Sequence, residues 1–110
     1  MTAFCDAIRR AALATEVFET GAVRVRTVRC DHYSIADDDS ANGFIDVSLR
    51  IGAGRDLATR KRIGEAIFAT MTGFLQPLFG GRHFALSFEI REIDPELSWK
   101  KNSIHERLRK

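Results

Sequence analysis

The chain has 110 residues, and its 45% hydrophobic and 29% charged residues are typical of a single globular domain over residues 1–110. The formal net charge of +2 is too small to indicate a nucleic-acid partner, and we expect none. No apolar run is long enough for a membrane span and the N-terminus lacks a secretory signal, so we expect a cytoplasmic protein without membrane contact.

The first half of the chain is predicted to contain one helix and one strand. An apolar stripe predicts a helix from Thr2, its N-cap, to about residue 15. Alternating residues predict a strand over Val23–Tyr33, with Val23 on one face and Arg24 and Arg26 on the other. The polar segment 36–43 that follows is predicted to be a turn.

The second half is predicted to be a complete βαβ unit. Strict alternation predicts strands over Phe44–Ile51 and His83–Ile93, and these should be parallel because a helix connects them. Asp56 is the predicted N-cap of that helix, which should end near Phe79 because Pro77 and two glycines follow. Its apolar stripe contains seven residues: Ile63, Ile67, Phe68, Met71, Phe74, Leu75 and Leu78.

The tail from residue 96 to residue 110 is polar, and Ser103 is the predicted cap of a short last helix. The expected order is therefore helix–strand–strand–helix–strand with a short C-terminal helix, an α+β fold. The first half lacks a strand before its helix, so the two halves are a structural repeat only if one strand is missing at the start. The eight phenylalanines should be buried in the core or between subunits.

Arginines at strand ends are the candidate functional residues. Arg24 and Arg26 share a strand face with apolar neighbours, and guanidinium groups bind carboxylates through paired hydrogen bonds. The segment Gly52–Asp56 joins a strand to a helix N-terminus, where free backbone N–H groups favour an anion, and it contains Arg55. Solvated surface arginines and a turn that needs glycine for its backbone alone are the structural alternatives.

Residues for proton transfer or metal binding do not stand out. His32, His83 and His105 lie at element edges or beside residues that point to the opposite face. Cys5 and Cys30 match no metal-ligand spacing, and we expect two free thiols and no metal or other cofactor. The sequence therefore indicates the anion-binding half of a site without its general acid or base.

Four segments resemble the 5-carboxymethyl-2-hydroxymuconate isomerase family of the tautomerase superfamily. They are Gly21–Arg26, Phe44–Leu57, Ala85–Ile90 and Lys101–His105, and the similarity extends over essentially the whole chain. The resemblance implies two βαβ units, a homotrimer, and a cofactor-independent isomerase of aromatic (homoprotocatechuate) catabolism. It implies that the reaction moves a proton between carbons of a dienol tricarboxylate.

The resemblance also implies roles for particular residues. Arg24 would hold a substrate carboxylate and stabilise the developing dienolate, Arg55 would bind another carboxylate, and Arg26 is a weaker third member. The family's general base is an N-terminal proline on the first strand, whose amine has a lowered pKa in its pocket. This sequence begins with Met1 near the start of the first helix, so we expect the proline and its strand upstream of it.

Two further interpretations stay open at this point. One is a non-enzymatic oligomeric domain that binds a small carboxylate. The other is a basic module that binds RNA, which the apolar face of residues 84–90 disfavours, because RNA-binding strands expose their aromatic residues for stacking.

Overall fold

The computed structural model describes residues 1–109 as an α+β fold. Its helices and strands within that range are α1 (Thr2–Ala14), β1 (Asn42–Gly52), α2 (Leu57–Gly81), β2 (His83–Ile93) and α3 (Ser103–Leu108), with a 3-10 turn at Thr20–Ala22. The predicted α+β class is confirmed, and the helices and strands that form follow the predicted order with one predicted strand missing.

The βαβ unit of the second half forms as predicted. β1 and β2 are parallel, with a register that runs from Asn42 opposite His83 to Gly52 opposite Ile93. Burial alternates along both strands, so one face of the sheet packs against the helices and the other faces outward. The period-two pattern of the sequence therefore predicted both faces correctly.

The core lies between α1 and α2, above the inward face of the sheet. Its buried residues are Phe4, Ile8 and Ala12 from α1 and Ile63, Ile67, Met71 and Leu75 from α2. The four α2 residues recur every four positions, which places them in one line along the helix. Phe68 and Phe74 were predicted in the same stripe, but they keep 42% and 45% of their surface exposed, because they lie beside that line.

The predicted strand over Val23–Tyr33 is wrong. Among the described residues only β1 and β2 pair, and the segment after the 3-10 turn has no neighbouring strand. Its first residues nevertheless keep the predicted alternation, with Val23 and Val25 half-buried against the core and Arg24 and Arg26 exposed. The segment lacks a ladder because a strand needs a partner within hydrogen-bonding distance, whatever its own sequence favours.

The two ends of α2 show how local and tertiary effects divide. Asp56 is the N-cap as predicted, and its carboxylate accepts a hydrogen bond of 2.8 Å from the Thr59 N–H. The helix ends at Gly81, close to the predicted end and at the two glycines that follow Pro77. Phe79 in its last turns makes an edge-on contact with Phe84 at 5.4 Å, so tertiary packing also holds this end on the sheet.

The caps of the other two helices differ from the prediction. Met1 occupies the N-cap position of α1, and Thr2 lies inside the helix without a side-chain cap. Asn102, rather than Ser103, caps α3, because its side-chain oxygen accepts hydrogen bonds from the N–H groups of Ile104 and His105. Asparagine and serine are about equally good caps, so the pattern did not distinguish adjacent candidates.

Contacts of Asn102, His105 and Arg109 hold α3 against the 3-10 turn and the residue before it, and we call this set of contacts the C-terminal clasp. The Asn102 side-chain amide donates to the Gly21 carbonyl at 2.9 Å. Arg109 donates to both carboxylate oxygens of Glu19 at 2.7–3.0 Å, and His105 Nδ1 lies 3.3 Å from the same carboxylate. The clasp therefore orders the segment that leads directly into Arg24.

Replacing Gly21 with alanine is expected to destabilise the protein. A Cβ atom at this position would lie 2.8 Å from His105 Nδ1 and 3.0 Å from the His105 backbone nitrogen, and α3 would have to move. Overpacking of this kind costs about 1–3 kcal/mol, which denaturant unfolding of Gly21→Ala would measure. Gly73→Ala is the comparison variant, because nothing lies within 4 Å of its added Cβ and alanine inside α2 should stabilise the helix by about 0.5–1 kcal/mol. Equal stability of the two variants would contradict the close approach.

Candidate functional site

The turn between β1 and α2 is the best defined part of the candidate site. Gly54 has φ of 110°, a conformation that only glycine adopts without strain, so its identity follows from the backbone. Hydrogen bonds from Thr59, first from its side chain and then from its backbone, hold the pKa of the Asp56 carboxyl below its usual value. At a pH above the ordinary pKa of an aspartate carboxyl, the ionised Asp56 cap therefore stabilises the turn in full. This stabilisation is lost as the pH falls through the lowered pKa of Asp56 in the folded protein.

A carboxylate of the chain itself lies at this turn, and no sequence pattern predicted it. Glu92, from the end of β2, accepts a hydrogen bond of 3.4 Å from the Gly54 N–H through Oε2. Its other oxygen accepts from Arg60 Nη1 at 3.2 Å. The turn thus binds an anion as its backbone geometry predicts, although that anion belongs to the chain itself.

Arg55 is held on two sides. Its Nη1 donates to the Gly52 carbonyl at 3.0 Å, and its guanidinium carbon lies 5.1 Å from the centre of the Phe18 ring. Arg55 is half-buried, so water reaches only part of the group. One hydrogen bond and one stacked face leave further N–H groups free in the guanidinium plane, where a carboxylate binds best.

Phe18 did not stand out in the sequence. Phe18 and Arg55 are 37 positions apart in the chain, and no local sequence pattern predicts contact between residues so far apart. The only signal was the excess of phenylalanine, which indicated buried rings but not an arginine partner.

Arg24 and Arg26 are exposed on the segment that follows the 3-10 turn. Phe18 precedes Arg24 by six residues in the chain, and the 3-10 turn at Thr20–Ala22 shortens the path between them. A six-residue segment spans at most about 20 Å when fully extended, so the backbone of Arg24 lies no more than about 20 Å from that of Phe18, whose ring contacts Arg55. We predict that Arg24 and Arg55 converge on one pocket, with Arg26 as a weaker member.

Two surface cavities lie elsewhere. One, of about 450 Å³, is a groove between α2 and β2 lined mainly by Leu57, Arg60, Phe68, Phe88 and Ile90. The other, of about 250 Å³, lies in the polar loop around Tyr33 and Asp39. None of the three candidate arginines lines either of these two cavities.

Within residues 1–109, no hydrogen bond or ion pair joins a histidine to Arg24, Arg26 or Arg55. His32 and His83 are exposed, and His105 belongs to the C-terminal clasp. In that clasp, the hydrogen bonds from Arg109 are the main reason why the pKa of Glu19 is below its usual value.

The contacts of Arg55 supply no general base. They are a backbone carbonyl and an aromatic ring, and neither can accept a proton at neutral pH.

Comparison with known proteins identifies the class of this protein. A family model described as 5-carboxymethyl-2-hydroxymuconate isomerase matches residues 1–108. The 5-carboxymethyl-2-hydroxymuconate Delta-isomerase of Escherichia coli is 36% identical over 92 residues, which cover 84% of this chain and 73% of that protein. The fold and these matches together define an isomerase.

Solved structures agree with the sequence comparison. A 5-carboxymethyl-2-hydroxymuconate isomerase from Deinococcus radiodurans R1 superposes on this chain with a TM-score of 0.93 at 35% identity. The match covers 99% of this chain and 83% of the chain of that isomerase. A second structure, a 5-carboxymethyl-2-hydroxymuconate delta-isomerase, gives a TM-score of 0.90 at 30% identity and covers all of this chain and 83% of its own. The chain belongs to the 5-carboxymethyl-2-hydroxymuconate isomerase family.

No helix within residues 1–109 combines the length and the apolarity needed to cross a bilayer.

Proposed function

We propose that Arg55 and Arg24 bind separate carboxylates of a di- or tricarboxylate substrate, with Arg26 as a weaker third contact. The half-buried, stacked guanidinium of Arg55 carries this proposal, because its orientation is set before any ligand arrives. A preorganised donor loses less entropy on binding than a free surface arginine does. Arg24 would add the positive charge that stabilises a dienolate as it forms.

The proton-transfer group is proposed to be a proline amine at the start of a strand that precedes Met1. Two observations support this. Within residues 1–109 β1 pairs only with β2, so its other edge offers free N–H and C=O groups to a further strand. Val23 and Val25 pack on the same core as β1 although no strand pairs with their segment. A strand placed between them would complete the sheet and bring its first residue toward Arg24.

We propose that the protein assembles as a homotrimer. One face of the sheet carries no helix, and several phenylalanines are more than one third exposed, namely Phe44, Phe68, Phe74 and Phe79. Exposed rings in this number are typical of surfaces that associate. Light scattering at micromolar concentration is expected to give a mass three times that of the chain, and a stable monomer would contradict the proposal.

Binding of muconate, a six-carbon dienedioate, tests the arginine site directly. Arg55→Ala is expected to weaken binding about 10- to 100-fold in a calorimetric titration, because a charge-assisted hydrogen bond contributes about 1.5–3 kcal/mol. Arg91→Ala is the matched control, since Arg91 is exposed on the outward face of β2 and pairs only weakly with Glu89 at 3.7 Å. Equal affinity of the Arg55 variant and the control would reject the site.

The proposed reaction is the cofactor-independent isomerisation of 5-carboxymethyl-2-hydroxymuconate during the breakdown of aromatic compounds. The cytoplasmic location expected from the sequence stays a prediction. If the arginines bind dicarboxylates but no form of the protein isomerises the substrate, the non-enzymatic carboxylate-binding interpretation is favoured instead.

A further inference from the structure

We propose that Phe18 is a positioning residue, which fixes the plane of the Arg55 guanidinium so that its free edge faces a substrate carboxylate. This inference rests on the proposed carboxylate-binding role of Arg55. The ring supports one face of the guanidinium at 5.1 Å, and the Gly52 carbonyl accepts from one corner of it at 3.0 Å. The first contact holds the guanidinium carbon over the ring, and the second holds one of its nitrogen atoms at the Gly52 carbonyl.

Stacking and hydrogen bonding have different consequences here. A guanidinium held only by the Gly52 carbonyl could still swing about that hydrogen bond. An aromatic face attracts the cation without using any N–H group, so the donors in the plane stay available for a carboxylate. The ring therefore orders Arg55 without competing with the ligand.

The turn that carries Phe18 is itself anchored. Glu16 adopts a φ of 61°, which is unusual for a residue with a side chain and turns the chain sharply after α1. The buried Thr15 hydroxyl donates to the Ala12 carbonyl at 2.6 Å and accepts from the Val17 N–H at 3.4 Å. Arg62 on α2 donates to the Thr15 carbonyl at 3.3 Å.

These anchors connect the turn to the helix that begins beside Arg55. Arg62 and Arg55 lie on the same stretch of chain, one in the first turns of α2 and the other immediately before it. Phe18 is also half-buried against the core. Phe18 therefore follows a turn that is anchored to both α1 and α2, and its side chain packs against the core.

Muconate titrations of Phe18→Leu, Phe18→Tyr and Phe79→Leu test this role in the chain as it is. Phe18→Leu keeps apolar bulk but removes the ring, and it is expected to weaken binding about 2- to 30-fold, the range of a cation–π contact. Phe18→Tyr retains the ring and should restore the affinity. Phe79→Leu is the matched control, because Phe79 makes an edge-on contact with Phe84 rather than with an arginine, and the affinity of this variant should stay unchanged.

A double variant separates positioning from general disruption. If Phe18 acts through Arg55, adding Phe18→Leu to Arg55→Ala should produce no further loss of affinity. NMR supplies a direct readout, since protons of the Arg55 side chain above the ring should be shifted upfield, and this shift should vanish in Phe18→Leu and persist in Phe18→Tyr. Phe18→Met, which fills the same volume with a flexible chain, serves if leucine disturbs folding.

The outcomes distinguish the two proposals. Weaker binding by Arg55→Ala together with unchanged binding by Phe18→Leu overturns the role of Phe18 and leaves the arginine site intact. Unchanged binding by Arg55→Ala overturns both. An additive loss in the double variant also rejects positioning, because it would show that Phe18 contributes independently of Arg55.

Discussion

Extending the chain upstream of Met1 with a strand that begins with proline is expected to raise the isomerisation rate at least about 10²-fold. A positioned general base contributes about 10²–10⁴-fold, and none of the groups that contact Arg55 can act as one. The strand would also form one wall of the site, so positioning is gained together with the base. A spectrophotometric assay of the unextended and extended proteins measures the effect.

The matched control for this experiment is the same extension with alanine in place of the proline. It should recover the sheet and its stability but only part of the rate, because alanine replaces the ring-constrained secondary amine of proline with a freely rotating primary amine. Full activity in the unextended chain would place the proton-transfer group within residues 1–110 and refute the proposal. No activity in the proline-bearing protein would favour a carboxylate-binding domain that is not an enzyme.

In that extended protein, Arg24→Ala is expected to lower turnover about 10²- to 10³-fold. This is the loss that follows when one donor to a developing oxyanion is removed. The effect should fall mainly on kcat, since charge at the dienolate oxygen grows only as the transition state is approached. Steady-state kinetics that separate kcat from KM provide the measurement.

Two companion variants make the Arg24 result specific. Arg24→Lys keeps the positive charge but loses the planar pair of donors, and so its rate should lie between those of the parent protein and Arg24→Ala. Arg26→Ala, two residues along the same exposed face, should have the smaller effect expected of a weaker contact. A change confined to KM in Arg24→Ala would assign this residue to substrate binding alone.

The interpretation of Arg55 depends on contacts that the sequence does not encode locally. The segment Gly52–Asp56 was expected to receive an anion, and the turn does bind a carboxylate, that of Glu92. Glu92 comes from the end of the neighbouring parallel strand, and it reaches the turn because the carboxyl ends of parallel strands meet at one edge of the sheet. A substrate carboxylate is therefore proposed to bind at the Arg55 side chain rather than at the Gly54 N–H.

Local patterns predicted most of the fold. Alternation along β1 and β2 depends only on the pleat of a strand, and the cap at Asp56 only on adjacent backbone groups, so both followed from the residues themselves. The buried line along α2 was predicted within a stripe that was too broad. Periodicity marks the apolar side of a helix, but neighbouring elements decide how much of that side they cover.

Tertiary structure decided the remaining elements. The last turns of α2 lie against β2 through the contact of Phe79 with Phe84, and the helix includes Pro77 although proline disfavours a helix interior. The segment after Val23 has the alternation of a strand but forms none, because a ladder requires a second chain segment at hydrogen-bonding distance.

By itself the sequence determined the family and the parallel βαβ unit, because these follow from short motifs and from the periods of helix and strand. Only the tertiary structure decided that Arg55 rests on Phe18 and that Glu92 reaches the glycine turn. Both contacts join residues more than 35 positions apart. Such a contact forms only if the folding of the intervening chain brings the two residues together, which no local sequence pattern specifies.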